Sequence, residues 1–346
     1  MNSSGEAKTS IAIVKLSSLG DLLHALPAVH CLKSGLNASI TWIVQEEYGE
    51  LVSCFSDVDE MLTIERSRYL SSVAAIHRTL SRRFFDLVID LQGLMKSAIV
   101  ARAMRGRKRI GPSFCREGSR LLYSEVAGSR NRSRHAVEEN LDVVRHLGLP
   151  CEERVFNLEF PEARLEAAHP LVAMIPGSRW PSKRWPAERY AEVGRMLMAK
   201  TGGSIVLLGG KDEMELGEQI AAGVGDGVID RVGNTSIVEM GSILAGADLV
   251  VSNDSGPMHM AAALGIHVLA LFGPTDPVRT GPFGAGHRVL VSDVDCRPCF
   301  GRSCRLTGPE CMTGITAKQV VSAALEMLRT TDQPRDKPGA DTDEHR

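Results

Sequence analysis

The chain has 346 residues, 43% of them hydrophobic and 24% charged, with a formal net charge of −2. That length holds two domains of ordinary size and the apolar content excludes global disorder, while near-neutrality excludes a general nucleic-acid binder. No apolar run approaches the roughly 18–20 residues that span a bilayer, and the polar start MNSSGEAKTS lacks the basic, apolar and small-residue parts of a signal peptide, so a cytoplasmic protein is expected.

In the first half, short apolar runs at 11–16, 40–44, 61–64 and 87–91 read as strands, and helical periodicity falls at 22–33, 69–80 and 137–147. Strand–helix repetition implies a parallel sheet with helices on both faces. Residues 101–135 hold ten Lys/Arg against Glu117 and Glu125, a local excess that favours an anionic partner such as a phosphorylated substrate or an anionic membrane face. The pattern restarts after the polar stretch 159–170. Strands are expected at 171–175, 205–208, 228–232, 249–251 and 268–272, with helices at 187–199, 213–224, 237–245 and 257–264. A last helix at 316–329 precedes a charged, Pro-containing tail expected to be disordered. The reading is two doubly wound domains, residues 1–158 and 159–330, with a tail at 331–346. Ligands on such sheets sit beyond the carboxyl ends of the strands, so the strand-to-helix turns carry the chemistry.

Four turns stand out. In SNDSGPMHMAAALG (252–265), Gly256 allows close backbone approach and Pro257 suits the first helical position. The N–H groups of Ser255, Gly256, Met258 and His259 then face the positive end of a helix dipole, an anion seat. In VKLSSLGDLLHALPAV (14–29), one glycine, Gly20, stands where a dinucleotide domain has three. The following Asp21 would repel a pyrophosphate, which leaves a helix cap or a base facing the cleft; both remain open on the residues alone, and His24 could be core or site. In IPGSRWPSKRWPAERYAEV (175–193), Lys183 and Arg184 lie between Trp180 and Trp185 and can reach an anion. In DLVIDLQGLMKSAIVARAMRG (86–106), Asp90, Gln92 and Lys96 can line the first domain's side of a cleft. Cys296, Cys299, Cys304 and Cys311 form C-x2-C-x4-C-x6-C, open to a structural metal, a disulfide or reduced thiols; the other four cysteines are scattered.

Together with RHAVEENL and LFGPTDP, these stretches resemble the ADP-heptose:lipopolysaccharide heptosyltransferases, glycosyltransferase family 9, over most of residues 10–330. The SSLGD and DLQGLMKSA segments are most similar to the heptosyltransferase I branch, and the Cys-x-x-Cys loop is more like heptosyltransferase II. The resemblance implies a GT-B fold, two Rossmann-like domains facing across a cleft, with the acceptor on the first and the nucleotide sugar on the second. It implies Asp21 as base and Lys183, with the Ser255 and Gly256 N–H groups, on the diphosphate. Asp254 and His259 would shape that site, with Ser17 and Gly20 opposite. Glu213 would hold the ribose, Thr235 and Ser236 would lie beside the adenine, and Arg66, Lys96 and Arg116, with Asp90 and Gln92, would meet the acceptor. The implied donor is ADP-heptose and the implied acceptor the lipid A–Kdo inner core, met by a protein peripheral to the inner membrane's cytoplasmic face. No catalytic metal or nucleic acid is implied. A family 9 enzyme using another nucleotide sugar and a non-catalytic nucleotide-binding protein are the alternatives; the missing glycine fingerprint argues against a nicotinamide oxidoreductase.

Overall fold

A computed structural model describes residues 8–331, apart from 132, 164 and 307. The first half builds a six-stranded, all-parallel sheet from β1 (Thr9–Val14), β2 (Ala38–Gln45), β3 (Glu60–Ile64), β4 (Phe85–Asp90), β5 (Gly106–Pro112) and β6 (Glu125–Ala127), in the order β3-β2-β1-β4-β5-β6. Its helices are α1 (Leu19–Leu23), α2 (Leu26–Gly35), α3 (Gly49–Val52), α4 (Tyr69–Leu80), α5 (Met95–Ala103), α6 (Ala136–Asn140) and α7 (Asp142–His146). The second half repeats the plan with β7 (Leu171–Ile175), β8 (Ser204–Leu207), β9 (Val228–Asp230), β10 (Leu249–Asn253), β11 (Val268–Phe272) and β12 (Arg288–Val291), ordered β12-β11-β10-β7-β8-β9. Around it lie α8 (Ala187–Thr201), α9 (Met214–Val224), α10 (Ile237–Ala245), α11 (Gly256–Ala263), α12 (Pro277–Thr280), α13 (Glu310–Thr313) and α14 (Ala317–Thr331). In each half the strand order reverses beside the first strand, and there the crevice for a ligand opens.

Alternation along the central strands explains the layering. On β1, Ile11 and Ile13 pack on one side and Ala12 and Val14 on the other; on β7, Val172 and Met174 face one layer and Leu171, Ala173 and Ile175 the opposite one. Both faces are covered, as strands this apolar require. One of these cores is shared: α1 of the first half packs against α11 of the second. The segment between the halves also joins them, since Leu158 bridges Phe55 while the Phe160 ring lies against Gly241 of α10.

Several features depart from the expected elements, among them the helix at 137–147, which is two, α6 and α7, and the short helices α3, α12 and α13. The single helix at 22–33 is two, α1 and α2, because Pro27 has no N–H to continue the ladder and instead sits in the first turn of a new helix. Strands β5, β6 and β12 were not anticipated; β5 begins Gly-Arg-Lys-Arg, and β6 and β12 are short edge strands, so none shows a buried-strand pattern. Two of the scattered cysteines, Cys31 and Cys151, form a disulfide that ties α2 to the segment after α7, a bond that a reducing compartment opposes. Of the tail expected to be disordered, 331–346, Thr331 ends α14 and residues 332–346 lie outside the described residues.

Candidate active site

A cleft of about 690 Å³ opens between the halves at both reversal points. The turn after β1 supplies Ser18, Gly20 and Asp21, and that after β10 supplies Asp254, Ser255, Gly256 and His259. The turn after β7 brings Trp180 and Lys183, the one after β8 brings Glu213, and Thr235 and Ser236 come from the start of α10. Every residue expected at the catalytic centre or around the nucleotide sugar therefore lines one cavity, except Ser17, whose N–H instead donates to the Gln92 amide oxygen.

The closeness of the halves rests on two small residues. A Cβ on Gly20 would lie 2.5 Å from the His259 ring, and one on Gly256 would lie 3.1 Å from Leu19. Missing side chains let the N-termini of α1 and α11 meet. At α11, the N–H groups of Ser255, Gly256 and Met258 find no acceptor among the described residues. Three open donors at a helix start are an anion seat. Lys183 completes it from the side: its ammonium lies 2.6 Å from Asp254 Oδ2 and 4.6 Å from the centre of the Trp180 ring. Asp254, itself buried, also accepts from the Thr275 hydroxyl at 2.6 Å. The ion pair aims Lys183 into the cleft, and it ties up one oxygen of the carboxylate that was expected to face sugar hydroxyls.

Opposite stands Asp21. Its Oδ2 accepts from the Ser18 N–H at 3.1 Å and the Ser18 hydroxyl at 2.8 Å, whereas Oδ1 takes no hydrogen bond among the described residues. The two readings of this residue thus coexist: one oxygen caps α1 and the other is available to a proton. Behind it Lys15, buried, donates to the Leu91 carbonyl at 2.5 Å, and burial lowers its pKa. His24 Nε2 and His259 Nδ1 meet at 3.1 Å across the two halves, with His135 edge-on to His24. Burial, the largest cause for all three rings, lowers the pKa of His259 to about 4, that of His24 well below the usual value, and that of His135 likewise. These imidazoles are neutral at pH 7 and act as packing and hydrogen-bonding groups.

At the far end of the cleft Glu213 accepts from the Gly210 N–H at 2.9 Å, and burial raises its pKa. Its carboxyl occupies the space where a side chain on Gly177 would be. Ser236 caps α10, exchanging hydrogen bonds with Glu239, so its hydroxyl is already engaged. The neighbouring Thr235 hydroxyl is buried without a partner among the described residues.

The acceptor residues are placed differently. Asp90 is fully buried and accepts from the Tyr123 hydroxyl at 2.6 Å, Gln92 N–H at 2.7 Å and Gly93 N–H at 3.1 Å. It organises the turn after β4 and does not reach a ligand, which corrects its expected role. Gln92 likewise accepts from the Leu16 and Ser17 N–H groups and holds the SSLGD turn. Arg66, Lys96 and Arg116 stand outside the cavity on the first half. Cys296, Cys299 and Cys304 are exposed, Cys311 is buried, and all four are unpaired; among the described residues no group of three or more His, Cys, Asp or Glu is disposed to hold a metal ion. Part of the basic stretch is internal pairing, Arg134 to Asp142 and Lys108 to Glu125, and Arg132 lies outside the described residues. Sequence reasoning missed Arg279 and Thr275. Arg279 lines the cleft and reaches Glu139 of the first half at 3.0 Å. The Thr-Asp-Pro start of α12, a helix-cap signal, would have marked it.

Two doubly wound sheets facing across a cleft, an anion seat on one side and an open carboxylate oxygen on the other, define a glycosyltransferase of the GT-B kind. The family model of glycosyltransferase family 9 (heptosyltransferase) matches residues 73–309. Lipopolysaccharide heptosyltransferase 1 of Pseudomonas aeruginosa is 30% identical, the match covering 85% of this chain and 87% of that one; the Salmonella typhimurium protein of the same name is also 30% identical, covering 84% and 99%. Among solved structures, E. coli heptosyltransferase WaaC with ADP superposes with a TM-score of 0.78 at 26% identity, covering 92% of this chain and all of that one. The chain belongs to glycosyltransferase family 9, the heptosyltransferases, and is similar to its heptosyltransferase 1 members.

Proposed function

We propose that the protein transfers heptose from ADP-L-glycero-D-manno-heptose to the lipopolysaccharide inner core, on Kdo–lipid A or on the first heptose, in one inverting displacement without a metal ion. The observation that carries this reading is the single cleft in which an unsatisfied helix N-terminus and Lys183 face a half-free Asp21 carboxylate. Asp21 Oδ1 takes the proton from the acceptor hydroxyl as its oxygen bonds to the sugar's anomeric carbon. The bond from that carbon to the diphosphate breaks, and the electron pair leaves with ADP. The growing negative charge falls on the Ser255, Gly256 and Met258 N–H groups and on Lys183, where fixed donors stabilise it more in the transition state than in the ground state. Attack from the face opposite the leaving group inverts the anomeric centre. Glu213 takes the ribose hydroxyls, and the orphan Thr235 hydroxyl finds its partner on the base. In this reading residues 1–158 present the acceptor and 159–330 hold the donor, at the cytoplasmic face of the inner membrane.

The test is transfer by purified protein from ADP-heptose, UDP-sugars and GDP-sugars to Kdo–lipid A and to an acceptor extended by one heptose, with and without EDTA. Product from ADP-heptose alone, of inverted configuration and undiminished by EDTA, is expected. Turnover with a UDP- or GDP-sugar instead would overturn the donor, and loss with EDTA the metal independence. Asp21→Asn should lower kcat by roughly 10²–10⁴-fold while ADP still binds. Unchanged turnover would remove Asp21 from the mechanism.

A further inference from the structure

Two short helices bond the halves together beside the cleft. α6 of the first half has His135 as its N-cap and Glu139 one turn on, so both side chains stand on one face. α12 of the second half and its C-cap Gly281 meet that face. Arg279 Nη2 donates to Glu139 Oε2 at 3.0 Å, and His135 Nε2 donates to the Gly281 carbonyl at 3.0 Å. His135 Nδ1 accepts the Val137 N–H at 3.1 Å, which leaves Nε2 to carry the ring's proton. The ion pair is enclosed: the Glu139 side chain is 3% exposed and that of Arg279 23%. Arg279 makes the only hydrogen bond to this carboxylate among the described residues, and Oε1 has none. Burial raises the Glu139 pKa, with Arg279 the leading charge that pulls the other way.

A buried ion pair adds little net stability over an apolar contact of the same size. What it supplies is register, because the charges meet in one arrangement of the two surfaces and are stranded in others. The α1–α11 contact acts differently. There a glycine lies against the His259 ring and another against Leu19, which sets how near the halves come and leaves their relative turn to other bonds. α12 also leads back to the anion seat. Asp276 caps it by accepting the Val278 N–H at 2.9 Å, and the adjacent Thr275 donates to the Asp254 carboxylate that pairs with Lys183. One short, capped segment is therefore fixed to the seat at Thr275 and to the first half at Arg279. We propose that Arg279 and Glu139 are positioning residues for the transfer, their pair holding the halves in the register that brings Asp21 and the anion seat into one cleft. The inference rests on the transfer reading and deepens it. A displacement of about 1 Å between base and donor costs on the order of 10²-fold in rate. Loss of the pair therefore slows turnover, whereas donor binding, assigned above to the second half, is spared. Arg279 itself lines the cleft, so direct contact with the donor is the rival outcome.

The experiment is a double-mutant cycle on the full chain: Arg279→Met, Glu139→Gln and both together, with kcat and KM measured well below each variant's unfolding midpoint. Each single change should lower kcat roughly 10–100-fold and leave the donor KM and ADP affinity within about twofold. The double variant should be no slower than the slower single one, since the second change removes nothing that the first has left. Arg279→Lys, which keeps the charge, should lie nearer wild type than Arg279→Met. Hydrogen exchange with ADP bound supplies a readout that needs no turnover: Glu139→Gln should speed exchange of the Thr280 and Gly281 amides, across the interface from the substitution, about tenfold. Additive losses in kcat, unchanged kcat, a donor KM raised in step with the loss, or exchange in α12 that ignores residue 139 would overturn the proposal. Exchange that responds as stated in a protein that transfers no heptose would count against the enzymatic reading alone.

Discussion

Protonation of the buried imidazole of His259 tests the junction between the halves most directly. Its pKa falls from 6.5 to about 4 in the folded chain because burial disfavours the charged ring; Asp254 and Asp21 pull the other way, while His135 and Lys183 add to the depression. With the folded value below the unfolded one, the unfolded chain binds the proton first as pH drops. Stability is therefore full above about pH 6.5 and is lost progressively toward pH 4. The group contributes a loss of about 1.4 kcal/mol by pH 5.5 relative to pH 7.5, and about 2 kcal/mol by pH 5. His24, His135 and His287 are also held below the usual value by burial and add in the same direction. The assay is urea unfolding of wild type and His259→Gln at pH 7.5 and 5.5. The variant should lose about 1.4 kcal/mol less than wild type over that interval, keeping a residual slope from the other three rings. Parallel curves would mean that His259 titrates normally and that the α1–α11 contact is more open than described.

Other substitutions probe separate parts of the cleft. Lys183→Met leaves the buried Asp254 carboxylate with only the Thr275 hydroxyl and should cost about 3 kcal/mol in thermal or urea unfolding. Adding Asp254→Asn should recover most of that stability without recovering turnover, and a double variant no more stable than Lys183→Met would refute the pairing. Gly177→Ala puts a methyl group where the Glu213 carboxyl lies, breaking its hydrogen bond to Gly210. The KM for the nucleotide sugar should rise roughly 10–100-fold, as loss of one charged hydrogen bond predicts, with the acceptor KM unchanged. Asp90→Asn should lower stability by about 1–3 kcal/mol through the Tyr123 and backbone contacts and leave acceptor KM alone, since the side chain is enclosed; a raised acceptor KM with normal stability would restore its binding role.

Local pattern made the two-sheet plan and the anion seat legible before any coordinates. Ile11–Val14 and Leu171–Ile175 are apolar on every residue because both faces are covered, and Ser-Gly-Pro at 255–257 reads as the open start of a helix whatever surrounds it. Such signals depend on chain neighbours and survive out of context. The edge strand β12 and the start of β5, which is next to an edge, gave none, since no residue of β12 and only the last three of β5 are buried. Nor did sequence show that Asp90 is enclosed by Tyr123, that Lys183 is paired with Asp254, or that Arg279 reaches Glu139. Each depends on residues from 33 to 140 positions apart meeting in space. Asp21 illustrates the division: its place three residues after Ser18 determined the cap, whereas the approach of α11 across Gly20 decided that it shares a cavity with the open start of α11. A carboxylate's bonding within its own turn is a property of the chain; what stands opposite it is fixed only when two separately folded sheets pack together.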